Sequence, residues 1–167
     1  MLDRSRTQHS ATESHAVSTH VLAWGDDGSG QCLGGARSSL DAIVCSPSEV
    51  RLPATKRDFI QVGVGFEQSF LVTGRGTLWC GGSNRGKCLS EEEETEQLLG
   101  LRRLDLTEAE DFEAAAIAAG REHFVALQKG GSQLLTWGAS NEFGQTGQGE
   151  ARIGLSACRP RQIPVQL

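Results

Sequence analysis

One short motif occurs three times in this sequence at a nearly constant spacing. Its copies are AWGDDGSGQCLGG at 23–35, LWCGGSNRGKCLS at 78–90 and TWGASNEFGQTG at 136–147. In the alignment of the copies, Trp24 matches Trp137. Gly25 matches Gly81 and Gly138, and Gly30 matches Gly86 and Gly144. In this alignment the middle copy has Cys80 in place of the tryptophan and Lys87 in place of Gln31 and Gln145. A repeat of about 56 residues indicates that one supersecondary unit is built several times, which constrains the fold more than any single residue does.

A second repeated element precedes each of the last two copies. FIQVGVGFEQSFLVT at 59–73 and AAIAAGREHFVALQ at 115–128 each contain two apolar runs separated by a glycine, Gly65 or Gly120. Short alternating segments follow the copies of the motif, at 49–53, 101–106 and 161–167. They predict a fourth strand at an edge, where proline is tolerated. Each unit is therefore interpreted as four short strands joined by tight turns.

Repeated units of four short strands are typical of a β-propeller, in which the sheets pack face to face around an axis. The sequence predicts an all-β fold: a partial β-propeller of about three four-stranded blades of about 56 residues, whose ring this chain alone does not close. Residues 1–16 are polar and are expected to be a disordered tail. Residues 17–48 are assigned to the end of one blade, 49–100 to a second unit, 101–158 to a third and 159–167 to the start of the next.

One segment has two interpretations. Glu91–Leu99 is charged and contains good helix formers, so a short helix and a surface loop both remain open there. A helical interpretation of Ala115–Ala119 is rejected, because the aligned segment of the preceding unit has a strand pattern.

The composition limits the classes of function. Glycine occurs 21 times in 167 residues with only 4 prolines, which indicates many tight turns. A net charge of −5 argues against sequence-independent binding of nucleic acid. The 5 cysteines form no CxxC pair, which predicts reduced thiols in the cytoplasm or nucleus. No apolar run reaches the length of a membrane span. We therefore expect no metal, no cofactor and no membrane association.

Two motifs suggest chemistry but are explained by turns. Gly81–Lys87 fits the GxxxxGK pattern of a phosphate-binding loop, except that Cys88 replaces the hydroxyl residue that would hold Mg²⁺. The aligned loops of the other two copies have the glycines without the lysine, so one turn geometry explains all three. Asp26 and Asp27 are adjacent in a tight turn, where aspartate is favoured for its hydrogen bonds to the backbone. No serine, cysteine or aspartate stands at a spacing that would recruit His123 into a nucleophilic triad, so the sequence predicts no enzyme.

The repeat resembles that of the regulator of chromosome condensation family. The best copy is AAGREHFVALQKGGSQLLTWGASNEFGQTG at 118–147, and the resemblance covers about residues 17–167. It implies a seven-bladed propeller, and among family members the chain looks most similar to short ones without a basic arm, including the fungal alpha-tubulin suppressor branch. Kelch repeats are a poorer match, because this chain has no tyrosine. Since seven such blades need roughly 400 residues, we expect a fragment or truncated gene product, unless further blades, self-association or a partner cover the open sheet faces.

In exchange-factor members of that family, acidic and histidine side chains in the turn between the two inner strands face a GTPase. By this resemblance the partner-binding candidates are Glu67, Gln68, Arg121, Glu122 and His123. The expected function is a non-enzymatic protein–protein interaction module in the cytoplasm or nucleus. The alternatives are a guanine-nucleotide exchange factor for a Ran-like small GTPase and a truncated product without independent function. Docking to chromatin is disfavoured by the acidic charge and the non-basic tail.

Overall fold

The computed structural model describes residues 19–34, 42–53, 58–90, 95–104, 106, 109, 111–149 and 158–164. These residues form ten β-strands and one 3₁₀ turn at Arg85–Lys87, and no α-helix occurs within them. The strands are β1 (Leu22–Asp26), β2 (Ile43–Glu49), β3 (Phe59–Val64), β4 (Gln68–Thr73), β5 (Leu78–Ser83), β6 (Gln97–Arg103), β7 (Ala114–Ala119), β8 (His123–Gln128), β9 (Gln133–Gly138) and β10 (Cys158–Pro164). The tail expected at 1–16 lies outside the described residues.

The strands form three antiparallel sheets in chain order. The first unit is the two-stranded sheet β1–β2, the second unit is β3–β4–β5–β6 and the third unit is β7–β8–β9–β10. The strands of the first unit correspond to the third and fourth strands of the complete units, because β1, β5 and β9 carry the repeated motif. The predicted all-β, partial propeller is confirmed, and its ring is not closed.

The fourth strands differ from their predicted positions. The segment 49–53 was predicted as a strand, but β2 ends at Glu49, and the strand is built from the preceding residues 43–49. β6 begins at Gln97, so the open helical interpretation fails for 97–99, while Glu91–Glu94 lie outside the described residues. β6 and β10 pair with the third strand of their own units, so boundaries after residues 100 and 158 cut through a sheet.

The main core lies between the second and third units. Phe70 on β4 packs against Phe124 and Trp137, with ring centroids 4.6 and 5.6 Å away, and all three side chains are fully buried. A smaller apolar cluster joins the first unit to the second and consists of Leu33, Val50, Phe59 and Leu71. Two facing sheets that each bury one side in this way are held together by removing apolar surface from water.

The sequence predicts that all three tryptophans, Trp24, Trp79 and Trp137, pack between blades, but the structure gives them different environments. Trp137 is 0% exposed, which confirms that expectation. Trp79 is half-buried and packs edge-on to Phe59, with a centroid distance of 6.5 Å. Trp24 is 61% exposed, so the expectation is wrong for it in this structure. The reason is that it lies on the side of the first unit where no described residue forms a neighbouring sheet.

The hydrogen bonds of the motif show that its middle copy aligns with the other two copies one residue further along than the sequence pattern indicates. The side-chain oxygens of Asp27, Asn84 and Asn141 each accept from the amide five residues later, at 2.8, 2.9 and 3.0 Å. Asn84 therefore matches Asp27, and Gly82 (φ 112°) matches Gly25 (φ 107°).

The shift changes the role of three residues in the middle copy. Gly81 occupies the tryptophan position, where a methyl group would lie 2.7 Å from the carbonyl oxygen of Gly100. Cys88 rather than Lys87 matches the two glutamines. Lys87, with φ 57°, takes the place of Gly30 and Gly144, which have φ 81° and 72°. Gly86 also has a positive φ, 66°, but it is not their counterpart.

Lys87→Gly is expected to raise the free energy of unfolding by about 0.5–1 kcal/mol. The left-handed backbone costs a side-chain-bearing residue about 1–2 kcal/mol, and the greater freedom of glycine in the unfolded chain offsets part of that gain. Urea titration followed by circular dichroism measures the change. Lys87→Ala is the control, because it removes the same charge and keeps the strain. Equal stability of the two variants would contradict a backbone origin.

Candidate protein-binding face

The two inner hairpins of the complete units end in turns of the same geometry. The amide of Gly65 donates to the carbonyl of Gln68, and that of Gly120 donates to the carbonyl of His123, both at 2.8 Å. Each turn therefore places two residues at its tip, Phe66–Glu67 in the second unit and Arg121–Glu122 in the third. An apolar strand on either side of a glycine determines this arrangement, as the repeat pattern predicted.

The two turns contact each other across the boundary between units. The amide of Phe66 donates to the carbonyl of Arg121 at 3.3 Å. The guanidinium carbon of Arg121 lies 4.8 Å from the centroid of the Phe66 ring, a cation–π contact. Beneath them, the Gln61 side chain accepts from the amide of Ile117 and donates to its carbonyl, both at 3.0 Å. The tips of two blades thus form one continuous edge.

The loops that follow the third strands lie on the same side of the sheets. Ser83 donates its amide to the carbonyl of Glu67 at 2.8 Å, and Ala139 donates to the carbonyl of Glu122 at 3.0 Å. Both loops therefore start beside a turn tip. We name the surface formed by the two turns (65–68 and 120–123) and the two loops (84–90 and 139–149) the turn face.

The five predicted site residues divide into two groups on the turn face. Arg121 is exposed, and Glu67 and Glu122 are half-buried, so these three present polar groups at the tips. Gln68 is only 3% exposed and does not look outward as expected. Its amide nitrogen donates to the carbonyl of Ser83 at 3.2 Å, and its side-chain oxygen accepts from the amide of Glu67 at 3.3 Å. It stabilises the turn.

His123 also serves the turn, but by packing. Its imidazole lies across Gly120, where a methyl group would come within 2.6 Å of Nδ1. Only glycine leaves room for the ring at that position. The side chain is half-buried, so part of the ring remains at the surface next to Glu122.

Two exposed phenylalanines on the turn face were not among the predicted site residues. Phe66 is 59% exposed and Phe143 is 89% exposed. Gln145 holds the loop that carries Phe143: its side-chain oxygen accepts from the Phe143 amide at 2.9 Å, and its nitrogen donates to the Ser140 carbonyl at 3.0 Å. The sequence feature that could have identified them as site residues is an aromatic residue at the tip of an otherwise polar turn.

The motifs that suggested chemistry have structural roles. Gly81 and Gly82 lie inside β5, and the loop after it forms only the 3₁₀ turn, so the GxxxxGK pattern does not precede the helix that a phosphate-binding loop requires. Asp26 accepts from the amide of Gly28 at 2.8 Å, a turn hydrogen bond. Burial raises the pKa of the Cys88 thiol to about 12, which keeps it protonated at neutral pH.

Two further observations concern metals and membranes. Within the described ranges, no group of three or more histidine, cysteine, aspartate or glutamate side chains is placed to hold a metal ion. The described residues also contain no helix that is long and apolar enough to cross a bilayer.

Comparison with known proteins identifies the fold. No family model and no curated protein matches the sequence. Yeast RCC1 (Prp20) bound to Kap60 matches with a TM-score of 0.70 and 20% identity over 86% of this chain and 33% of that one. Prp20p from Saccharomyces cerevisiae, described with its binding properties to Gsp1p and histones, matches at 0.71 and 20%, over 86% of this chain and 34% of that one. Human WBSCR16 matches at 0.68 and 20%, over 88% and 34%.

These matches show that the fold is that of part of an RCC1-like propeller. The chain spans about a third of the length of each matching structure. The resemblance of the repeat motif to that of the regulator of chromosome condensation family is therefore confirmed for the fold.

Proposed function

We propose that this chain, a partial RCC1-like repeat protein in its fold, is a non-enzymatic interaction module that binds a protein partner through its turn face. The observation that carries the proposal is the contact between two blades at the turn tips, where Arg121 lies over the exposed ring of Phe66. This contact assembles aromatic, cationic and acidic groups into one surface.

The residue types on the turn face are those enriched at the centres of protein interfaces. Aromatic residues and arginine supply most of the binding energy at such surfaces, while glutamates at the rim contribute to specificity and association rate. Phe66 and Phe143 provide the exposed aromatic area, and Glu67 and Glu122 provide the adjacent carboxylates. Because each turn and loop is held by internal hydrogen bonds, little conformational entropy is lost when a partner binds.

A second candidate function is guanine-nucleotide exchange on a Ran-like small GTPase. Support comes from Prp20p, described with its binding to Gsp1p and histones, and from the glutamates at the turn tips. Such a factor accelerates nucleotide release without breaking covalent bonds, so it needs surface contacts rather than catalytic side chains. A location in the cytoplasm or nucleus accords with this function.

Charge reversal at the turn tips is expected to weaken partner binding at least tenfold. The double variant Glu67→Lys/Glu122→Lys places two positive charges where the proposal has carboxylates, and mismatched charges at an interface cost several kcal/mol. The probes are a Ran-like GTPase and core histones, measured by biolayer interferometry. Asp58→Lys is the control, because Asp58 is an exposed acid at the opposite end of β3. Absence of binding to both probes, or equal binding by the double variant and the control, would contradict the proposal.

A nucleotide-release assay separates the two functions. The GTPase is loaded with fluorescent GDP, and its release is followed with and without micromolar protein. Acceleration that the double variant loses supports exchange activity. Binding without any acceleration would exclude exchange and leave the interaction module intact.

A further inference from the structure

Phe143 is the most exposed large apolar side chain among the described residues. It is 89% exposed and stands at the tip of the loop 139–149. Within the described part of the chain, no other aromatic ring and no cation packs against its ring. A single exposed apolar side chain is ordinary on a protein surface. Phe143 differs because its loop folds in the same way without an aromatic residue.

The loops of the three motif copies contain one common turn. In each loop an amide donates to the carbonyl three residues earlier: Gly30 to Asp27 at 2.9 Å, Lys87 to Asn84 at 2.7 Å and Gly144 to Asn141 at 3.1 Å. The residue before each of these donors is at the tip, and it is Ser29, Gly86 or Phe143. Since serine and glycine occupy the same tip position, the fold of the loop does not require a phenylalanine there.

The backbone beneath Phe143 is fixed by side chains of its own loop. The side-chain oxygen of Gln145 accepts from the Phe143 amide at 2.9 Å, as that of Gln31 accepts from the Ser29 amide at 2.8 Å. The side-chain oxygen of Asn141 accepts from the amide and the hydroxyl of Thr146, at 3.0 and 2.8 Å. A partner that covers the ring therefore does not have to order the loop first, which lowers the entropic cost of binding.

Carboxylates flank Phe143 on the turn face. Glu142 directly precedes it and is exposed. The start of the same loop is hydrogen-bonded to the carbonyl of Glu122 at 3.0 Å. The exposed or paired cations of the turn face belong to the second unit or to the boundary with it: Arg85, Lys87 and Arg121. A surface that fits around Phe143 is therefore complementary if its own charges are positive.

The exposure of the ring indicates the shape of the surface that covers it. A phenylalanine side chain gains most when it is enclosed, because it removes about 150–250 Å² from water. A flat surface would cover one face of a ring that stands clear of the protein, whereas a pocket covers both faces. A flexible lysine-rich tail cannot form such a pocket, because it has too little apolar surface to keep a fixed shape.

We propose, building on the proposed interaction at the turn face, that Phe143 is the anchor of this interaction. It inserts into an apolar pocket of a folded partner protein, and cationic side chains at the rim of that pocket meet Glu142 and Glu122. Exposed aromatic residues that fill a pocket of the partner are the usual centres of binding energy at protein interfaces.

The test replaces Phe143 by the residue that the first unit carries at the same position. Phe143→Ser should weaken binding to a Ran-like GTPase or to core histones at least tenfold, mainly through faster dissociation. The heat-capacity change of binding should become less negative, because less apolar surface is buried. Phe143→Leu should give an intermediate loss. Ile60→Ser is the matched control, since Ile60 is 61% exposed but lies near the start of β3, away from the turn face.

A lysine-rich histone-tail peptide is the third probe, and urea titration verifies that each variant folds. Binding that Phe143→Ser leaves unchanged, while Glu67→Lys/Glu122→Lys abolishes it, would overturn the anchor and leave the proposed function standing. Binding of the tail peptide alone, equal for Phe143→Ser and the unaltered chain, would identify a flexible basic segment as the partner and would also overturn the anchor. Absence of binding to all three probes would overturn the proposed function and the anchor together.

Discussion

Trp137→Ala is expected to lower the free energy of unfolding by about 3–5 kcal/mol. The indole ring lies fully buried between the second and third units, against Phe70 at 5.6 Å and Phe124 at 5.5 Å. Removing it leaves a cavity in the main core, and the two facing sheets cannot close over a gap of that size without moving as rigid bodies. Urea unfolding followed by circular dichroism measures the loss.

Trp24→Ala provides the matched control for that result. Trp24 stands at the same position of the repeat motif, but it is 61% exposed, so its removal should change stability by no more than about 0.5 kcal/mol. Trp137→Phe supplies a third measurement. This substitution keeps most of the ring and removes an indole N–H that has no partner among the described residues. It should therefore lower the free energy of unfolding much less than Trp137→Ala does. Equal losses for Trp24→Ala and Trp137→Ala would contradict the assignment of the core.

The fold could be predicted from the sequence because each repeated residue has a local physical cause. A glycine between two apolar runs predicts a hairpin, and the return of the same pattern after about 56 residues predicts a further blade. The alignment of the middle copy could not be settled in the same way. Gly81 and Gly82 are adjacent, and by sequence alone either glycine can be aligned with Gly25 and Gly138. The hydrogen bond that Asn84 accepts and the positive φ of Gly82 select Gly82.

The candidate site shows a similar limit. A turn position predicts that a polar side chain is at the surface, and this holds for Glu67, Arg121 and Glu122. It fails for Gln68, because the first residue of β4 points towards the backbone of Ser83. Which side a strand-end side chain faces depends on the neighbouring strand, and that information is not local. The exposure of Phe143 likewise results from a loop that Gln145 holds in place.

Gly82→Ala is expected to cost about 3–5 kcal/mol, an effect of the same size as that of Trp137→Ala. Gly82 has a φ of 112°, which disfavours any side chain, and a methyl group there would overlap the carbonyl oxygen of Glu67 and lie 2.9 Å from the Cα of Gln68. Both neighbours are backbone atoms of the adjacent hairpin, so no rotamer change relieves the collision. The hairpin must be displaced to relieve this collision, and that displacement would move Glu67. Partner binding at the turn face should therefore weaken as well.

Gly25→Ala separates the collision from the backbone strain. Gly25 occupies the same motif position with a φ of 107°, but nothing lies within 4 Å of the added methyl group. The expected cost is about 1–2 kcal/mol, from strain alone. Equal losses at Gly25 and Gly82 would show that the hairpin contact is unimportant.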